Sequence, residues 1–300
     1  ISTREEDFVV QIFTANTHTP VLFFSTQGLV YKIKAHKIPE GTAASKGKSI
    51  FNILPLKSHH SISSIMPLPE DESEWKKLMI VFATSKGNVR KNTLEDFTNI
   101  NNSGKIAMKL NETDELVSVL PCNDKDNILL ATRLGKAIRF DVNDVRVFVG
   151  RGSSGVRGVR LKPKDIVVSM SLIPDTQEKY VLSVTENGFG KRTPVDDYRK
   201  TNRGGQGVAN IECSTRNGPV VASFVASEND QIMLVTNSGK LIRIRVNGGE
   251  GDTIRIAGRK THGVRLFDVD EGEKVVSVAL LNENDDEADD DEIKNTSDEN

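Results

Sequence analysis

The sequence is poor in cysteine, with two in 300 residues, and in aromatic residues, which make up 5% of the chain. Cys122 and Cys213 fit neither a CxxC nor a Cys/His ligand spacing, so they predict neither a zinc site nor a disulfide scaffold. No apolar run approaches the roughly 18 residues that span a membrane, and no signal peptide begins the chain. We therefore expect a cytoplasmic protein that has no membrane partner.

The net charge of −2 conceals two regions of opposite charge. Residues 282–300 hold ten acidic residues and one lysine, so residues 1–281 carry a net charge of about +7. Because an acidic segment of this kind cannot bury enough apolar surface to fold, we expect a folded domain at 1–281 and a disordered acidic tail at 282–300. The chain begins with Ile1 rather than Met, which suggests a piece of a longer protein.

A fivefold internal repeat organises the chain. Each copy has a short apolar run, then Ser or Thr, two residues, Gly, three residues, and Lys or Arg. The copies are Ser25–Gly28–Lys32, Thr84–Gly87–Lys91, Thr132–Gly135–Arg139, Thr185–Gly188–Arg192 and Thr236–Gly239–Arg243. Their glycines are 59, 48, 53 and 51 residues apart, which predicts units of about 50 residues.

The spacing within each copy predicts a β-hairpin. Ser or Thr followed three residues later by Gly suits a type I turn whose last residue adopts the left-handed conformation. Apolar and basic residues then alternate, as in 241–245, which is the period of a strand with one buried face. We therefore expect the basic residues to form a cationic, solvent-facing strand surface.

A second glycine-containing element follows each hairpin by 17–24 residues. These elements are 44–48, 102–105, 151–157, 201–207 and 258–263. A strand, an acidic turn and another strand come next, so each unit holds about four strands and no helix. This pattern is typical of propeller blades. The strand-like run 8–13 would complete a further blade, so we expect an all-β, six-bladed propeller whose first blade is truncated.

Other motifs do not indicate an enzyme. The segment 150–155 matches GxGxxG, but a dinucleotide site needs a following helix, and 156–161 reads as a strand. The five histidines lack ligand spacing, and no Ser/His/Asp or Cys/His arrangement stands out. We expect no catalytic residue, metal or cofactor in this chain.

Over residues 1–281, the sequence resembles the C-terminal domain of bacterial DNA gyrase A subunits. Segments that carry the likeness include 52–56, 155–161, 230–233 and 256–259. The resemblance implies a six-bladed, hairpin-exchanged propeller, or β-pinwheel, around whose rim double-stranded DNA bends. It further implies a holoenzyme that contains a second A subunit together with the gyrase B subunit, in which other domains use ATP and Mg²⁺ to introduce negative supercoils.

The family's glycine-rich box is only partly present. Its nearest counterpart, 201–207, keeps Arg203, Gly204, Gly205 and Gly207 but lacks the glutamine and two basic positions. We interpret it as a degenerate copy in the fifth repeat of the family and expect the true box upstream of Ile1.

Basic residues of the hairpins and glycine-containing elements are the predicted DNA contacts. They are Lys32, Lys34, Lys46, Lys48, Arg90, Lys91, Lys105, Arg139, Arg157, Arg160, Lys191, Arg192, Arg203, Arg243, Arg245, Arg259 and Lys260. The acidic tail is a candidate competitor for the same surface. Three alternatives stay open: the C-terminal domain of the topoisomerase IV A-type subunit, a protein-binding propeller, and a propeller enzyme with converging carboxylates.

Overall fold

The repeated hairpins form where the sequence predicts them in the computed structural model, which describes residues 13–41, 47–58, 60–174, 179–248 and 253–281. In the second hairpin, Gly87 has φ +82° and its N–H donates to the carbonyl of Thr84 at 2.9 Å. The Thr84 hydroxyl accepts from the N–H of Asn88 at 3.3 Å. The Ser or Thr of the repeat therefore holds the turn, and the glycine supplies its left-handed residue.

Nineteen strands are present in the described residues, and they fall into four sets. The hairpins begin with β1 Pro20–Ser25, β4 Met79–Thr84, β8 Asn127–Thr132, β12 Tyr180–Thr185 and β16 Gln231–Thr236. They end with β2 Leu29–Lys34, β5 Asn88–Thr93, β9 Lys136–Asp141, β13 Phe189–Pro194 and β17 Leu241–Arg245. A longer third set comprises β3 Ile62–Pro67, β7 Leu116–Cys122, β11 Val167–Ile173, β15 Val220–Ala226 and β19 Val275–Leu281. Two-residue strands are β6 Lys105–Ile106, β10 Val156–Arg157, β14 Val208–Ala209 and β18 Val264–Arg265.

The helical segments of the described residues are short 3-10 turns. They span Ala35–Lys37, Ile50–Asn52, Glu72–Lys77, Leu94–Phe97, Val142–Asp144 and Val195–Asp197. None of them has the length or the apolar composition that a bilayer crossing requires.

The strands form five antiparallel sheets, which are the blades. From one edge to the other they run β3-β1-β2-β6, β7-β4-β5-β10, β11-β8-β9-β14, β15-β12-β13-β18 and β19-β16-β17. The two-residue strand of each complete blade comes from the next repeat, as when β6, which follows the second hairpin, pairs with β2. Consecutive blades are thereby exchanged into one another, as the family resemblance implies.

The all-β propeller class is confirmed, but the expectation of six blades is wrong for the described residues, which form five. Each blade is built on one hairpin, and the sequence contains five. Residues 8–12 of the run that suggested a partial blade lie outside the described residues, as does the acidic tail. The fifth sheet has three described strands, and β17 is its edge strand within the described residues.

Adjacent blades are joined by a repeated backbone hydrogen bond. The second residue of each hairpin turn accepts, through its carbonyl, from the N–H that begins the inner strand of the next blade. The pairs are Thr26 with Leu116 at 2.8 Å, Ser85 with Val167 at 2.9 Å, Arg133 with Val220 at 2.9 Å and Glu186 with Val275 at 2.8 Å. Strands β3, β7, β11, β15 and β19 also contact one another in sequence, which places them on the inner side of the blades. The two-residue strands and the loops that precede them therefore form the outer edge, which we call the rim.

The core lies within and between blades. Phe24 of the first blade meets Phe82 of the second edge to face, with ring centroids 5.7 Å apart, and both contact Phe97. Trp75 is fully buried, and its indole N–H donates to the carbonyl of Pro69 at 3.0 Å. The aromatic residues named here thus pack in the core.

Candidate nucleic-acid interface

Each rim strand begins immediately after a glycine in the left-handed conformation. A Cβ atom on Gly155 would lie 2.3 Å from the carbonyl oxygen of Val89, and one on Gly207 would lie 2.4 Å from that of Ala137. No side chain fits at such distances, so the second glycine of the repeat lets the rim strand approach its neighbour. The glycine-containing elements are therefore structural parts of the rim.

Seven of the predicted DNA contacts are exposed. These are Lys34, Lys48, Arg157, Arg160, Arg243, Arg245 and Lys260. Arg157 lies on a rim strand, whereas Arg243 and Arg245 lie on β17, the edge strand of the fifth described sheet. Lys46 falls outside the described residues.

Five further candidates are half-buried, and their side chains donate to backbone carbonyls. Lys32 donates to Thr98, Lys105 to Asn99 at 2.5 Å, Arg139 to Val195 at 3.3 Å, Arg203 to Asp144 at 2.9 Å, and Arg259 to Ala209 at 3.1 Å. Lys32 also pairs with Glu72 at 2.7 Å. Four of these cations therefore join neighbouring repeats, whereas Lys105 bonds within its own loop.

Four candidates contradict the prediction of a solvent-facing cationic strand. Arg90 and Lys191 are fully buried, and Lys91 and Arg192 are each 4% exposed. The reason is the exchanged segment of the next repeat, which covers the second hairpin strand on its outer side. Among the described strands, β17 alone shows the exposed basic alternation that the sequence predicts, and no described strand covers its outer side.

The repeated basic residue joins one blade to the next. Lys91 donates to the carbonyl of Val142, which begins the 3-10 turn of the following repeat, at 3.2 Å. Arg139 donates to Val195, which begins the equivalent turn one repeat later. Arg192 instead lies over the ring of Tyr180 at 4.9 Å and contacts Glu228 at 3.4 Å. Blade-to-blade contacts thus account for much of the fivefold basic pattern.

Burial changes the acidity of two of these cations. Burial lowers the pKa of Arg90 to about 10, with Asp96 acting in the opposite direction and Arg151 lowering it further. Burial also lowers the pKa of Lys191 to about 8, and repulsion from Arg259 adds to the effect. Arg90 therefore remains charged at neutral pH, whereas the pKa of Lys191 lies close to neutral pH.

The structure brings three predicted contacts together on the rim. Arg203 donates through Nη1 to the carbonyl of Arg157 at 3.1 Å. The N–H of Arg160 donates to the carbonyl of Gly205 at 2.8 Å, and the N–H of Gly204 donates to Gly158 at 2.6 Å. The degenerate box is therefore docked against the segment that carries Arg157 and Arg160.

Sequence reasoning missed Arg265, which is exposed on rim strand β18 and pairs with Asp268. It follows Gly263 and Val264 as Arg157 follows Gly155 and Val156, so the repeated Gly-Val-Arg triplet could have identified it. The rim strands of the second and fourth blades thus carry an exposed arginine at their second position, where the first blade has the exposed Ile106.

Across the described residues, no group of three or more His, Cys, Asp or Glu side chains is arranged to hold a metal ion. The open alternative of a propeller enzyme therefore gains no support from a metal cluster in this part of the chain.

Comparison with protein families identifies the fold and its repeats together. A family described as the DNA gyrase C-terminal domain, beta-propeller, matches residues 19–69, 78–123, 126–174, 179–222 and 230–282, one segment for each blade. The chain belongs to the DNA gyrase C-terminal domain family. The resemblance drawn from the sequence is confirmed.

Relatives agree with this family. The DNA gyrase A protein of Rickettsia bellii is 42% identical over 97% of this chain, and that of Staphylococcus epidermidis is 40% identical over 95%. The chain spans 37% and 31% of the lengths of these curated relatives.

Solved structures share the fold. The C-terminal domain of a DNA topoisomerase IV superposes with a TM-score of 0.83 at 26% identity, covering 93% of this chain and 84% of that one. A DNA gyrase A C-terminal domain gives 0.72 at 26% identity, covering 89% and 84%.

Proposed function

We propose that this chain binds double-stranded DNA and bends or wraps it around the rim, as the C-terminal part of a DNA gyrase A protein. The observation that carries the proposal is the pair of exposed arginines on the rim strands of a member of this family. Arg157 and Arg265 come from two different blades, so a duplex that follows the rim meets them in turn.

Basic side chains on the rim neutralise phosphates and release counterions, which gives affinity that depends on salt and tolerates any sequence. Bending 20–30 base pairs costs on the order of 1–6 kcal/mol, and contacts that only a bent duplex can make offset this cost. Among the predicted contacts, we retain Arg157, Arg160 and Lys260 as rim contacts and Lys34, Lys48, Arg243 and Arg245 as further exposed candidates. The four buried cations do not reach a surface phosphate and are assigned to the scaffold.

In the whole protein, this activity would support ATP-dependent negative supercoiling by a type IIA topoisomerase in the cytoplasm, close to the nucleoid. A second gyrase A protein together with the gyrase B protein would assemble through parts that this chain does not contain. ATP and Mg²⁺ would act in those other parts. This chain would bend the DNA and set its path, and it would not cleave the DNA backbone.

A second candidate is the C-terminal domain of the topoisomerase IV A-type subunit, which is favoured by the TM-score of 0.83. Sequence favours gyrase, because relatives that are 40–42% identical are gyrase A proteins. The two candidates differ in how strongly they should wrap DNA.

Linking-number analysis tests the proposal. The chain is bound to relaxed circular DNA at several salt concentrations, relaxed again with a type I topoisomerase, and freed of protein. A shift in linking number that fades with salt supports wrapping, whereas salt-sensitive binding without a shift supports the topoisomerase IV alternative. Absence of DNA binding, also after deletion of 282–300, would contradict the proposal and favour a protein-binding propeller.

We also propose that residues 1–281 form the DNA-binding unit and that the acidic segment 282–300 competes with DNA for the rim. The segment is opposite in charge and tethered nearby, so its effective concentration is high. Deleting 282–300 should increase DNA affinity and the linking-number shift. Unchanged affinity and unchanged wrapping would contradict this role.

A further inference from the structure

The glycine-rich loop 148–155 lies on the rim of the second blade. Val147, before the loop, forms a bridge to Lys91 of β5, and Val156, after it, pairs with Val89 of the same strand. Both ends of the loop are thus fixed along one strand while its middle projects. Val149 is fully exposed, and Gly152 and Ser154 in the middle of the loop are exposed as well.

Buried Arg90 turns three carbonyls of this loop inward. Its Nη1 donates to the carbonyl of Arg151 at 2.7 Å and to that of Ser153 at 3.0 Å, and its Nη2 donates to that of Gly150. A third bond from Nη1 reaches Ala107 at 3.2 Å. One guanidinium therefore sets the orientation of three peptide groups.

In a planar trans peptide, the carbonyl of one residue points opposite to the N–H of the next. The N–H groups of Arg151, Gly152 and Ser154 must therefore point away from Arg90, toward the outer side of the loop. Within the described residues, none of these three N–H groups has an acceptor. Such a set of outward amides is the arrangement that binds anions in backbone nests.

The surroundings of the loop are open and suited to an anion. A Cβ atom on Gly150 or Gly152 would meet no atom within 4 Å, so a ligand can approach the backbone. Arg151 Nη1 and Ser153 Oγ are also buried without a hydrogen-bond partner among the described residues. Buried polar atoms of this kind are normally satisfied by water or a bound ion, so the loop has unused hydrogen-bonding capacity.

The fourth blade repeats the arrangement. Lys191 occupies the position of Arg90 in its hairpin and donates to the carbonyl of Gly258 at 2.5 Å, while Thr193 donates to that of Ala257 at 2.7 Å. By the same peptide geometry, the N–H groups of Gly258 and Arg259 point outward, and neither has an acceptor in the described part of the chain.

The third blade does not share it. Ile138 stands at the position of Arg90, and its side chain is apolar. The loop amides of Thr201 and Gly204 donate to Arg139 and Gly158 and are already used. The feature therefore belongs to the blades whose hairpin carries a buried cation under the loop.

We propose that the loops 150–154 and 257–260 are backbone phosphate-binding sites for DNA, built by Arg90 and Lys191 from beneath. The proposal rests on the proposed function and deepens it, because it assigns two contacts of the rim to main-chain amides. The buried cations then act as positioning residues that never touch the DNA.

Amide chemical shifts of the full chain test the proposal directly. The isotope-labelled protein is titrated with a short DNA duplex and, separately, with inorganic phosphate. We expect the amides of Arg151, Gly152, Ser154, Gly258 and Arg259 to shift and saturate with the duplex. Shifts with phosphate but none with duplex would show a free-anion site and overturn the DNA assignment.

Two variants of one residue separate the amide from its side chain. Ser154→Pro removes an outward N–H, and Ser154→Ala keeps it. We expect Ser154→Pro to weaken duplex binding roughly threefold to tenfold and Ser154→Ala to bind as the unmodified chain does. Equal affinities for the two variants would overturn the proposal.

Arg90→Gln tests the positioning role, and it should erase the amide shifts of the second-blade loop while those of Gly258 and Arg259 persist. Should this variant fail to fold, the titrations of the unmodified chain and the Ser154 pair still decide the matter. Duplex binding without any shift of the loop amides overturns this inference alone. A chain that binds no duplex overturns the proposed function as well.

Discussion

Arg133 Nη2 lies 2.5 Å from Glu186 Oε1, and the two residues occupy the same position in consecutive hairpin turns. Glu186 also pairs through Oε2 with Lys274 at 3.2 Å. One carboxylate therefore links the third, fourth and fifth blades, beside the backbone bonds that join them. The pairs are partly exposed, so each should contribute about 0.5 kcal/mol.

We expect Glu186→Gln to lower the free energy of unfolding by roughly 1 kcal/mol at low salt and by less at high salt, since salt screens exposed ion pairs. Urea unfolding at two salt concentrations measures this. Glu112→Gln is the control, because Glu112 is exposed and has no ion-pair partner among the described residues. The same loss in both variants would contradict a specific inter-blade role.

Gly135→Ala should be among the most destabilising single changes in the chain. Gly135 has φ +79°, and a Cβ there would lie 2.1 Å from the carbonyl oxygen of Ile211, which belongs to the exchanged segment. Backbone strain and the clash together should cost roughly 3 kcal/mol or more. Thermal unfolding checks this against Gly47→Ala, whose Cβ would meet nothing within 4 Å and which should change stability little. Comparable stability of both variants would contradict the exchanged packing.

Replacing Arg157 and Arg160 with Gln should weaken DNA binding at every sequence and flatten its salt dependence. Each lost phosphate contact lowers the slope of log affinity against log salt by roughly one. Fluorescence anisotropy at several salt concentrations gives the slope. Lys125→Gln is the control, since Lys125 is exposed but lies between β7 and β8 rather than on the rim. An unchanged slope in the double variant would remove these arginines from the interface.

Glu273 should make the fifth blade sensitive to acid. Hydrogen bonds from Ser238, Thr236 and the backbone of Asp270 lower its pKa to about 2, with Lys240 adding to the effect. Because the folded pKa lies below the ordinary value of 4.5, its stabilisation is present above that value and is lost as pH falls toward 2. Glu273→Gln should reduce the loss of stability over this window, as measured by urea unfolding, and Glu271→Gln should not. If the free energy of unfolding depended on pH in the same way for the two variants, Glu273 would not have this role.

Lys191 should make the stability of the chain depend on pH in the alkaline range. Its folded pKa of about 8 lies below the ordinary 10.5, so the charged form is disfavoured in the folded state. Between these two pH values, the unfolded chain binds more protons than the folded chain. The free energy of unfolding should therefore rise with pH across that window. Lys191→Met should reduce this rise relative to the unmodified chain, whereas Lys86→Met, which removes an exposed lysine, should not. Urea unfolding at several pH values gives the rise of the free energy of unfolding with pH. The same rise in all three proteins would contradict the burial of a protonated Lys191.

The sequence by itself determined the hairpins, their number and the all-β propeller class. Local chemistry is sufficient for these features, because Thr84 and Gly87 form their turn through contacts within five residues. It also identified the family, through segments such as 52–56, 155–161, 230–233 and 256–259. The number of blades expected from the sequence was too high. The strand-like run at 8–13 predicts a further blade, but the chain contains no sixth hairpin on which that blade could be built.

Only the tertiary structure decided which cations are available. In the sequence, Arg90 and Arg157 are both basic residues of a repeat. In the structure, Arg90 is fully buried and Arg157 is exposed. The difference arises because the exchanged strand that carries Arg157 covers the strand that carries Arg90. Strand exchange joins residues more than 60 positions apart, and a sequence period of two cannot report whether another segment covers a face.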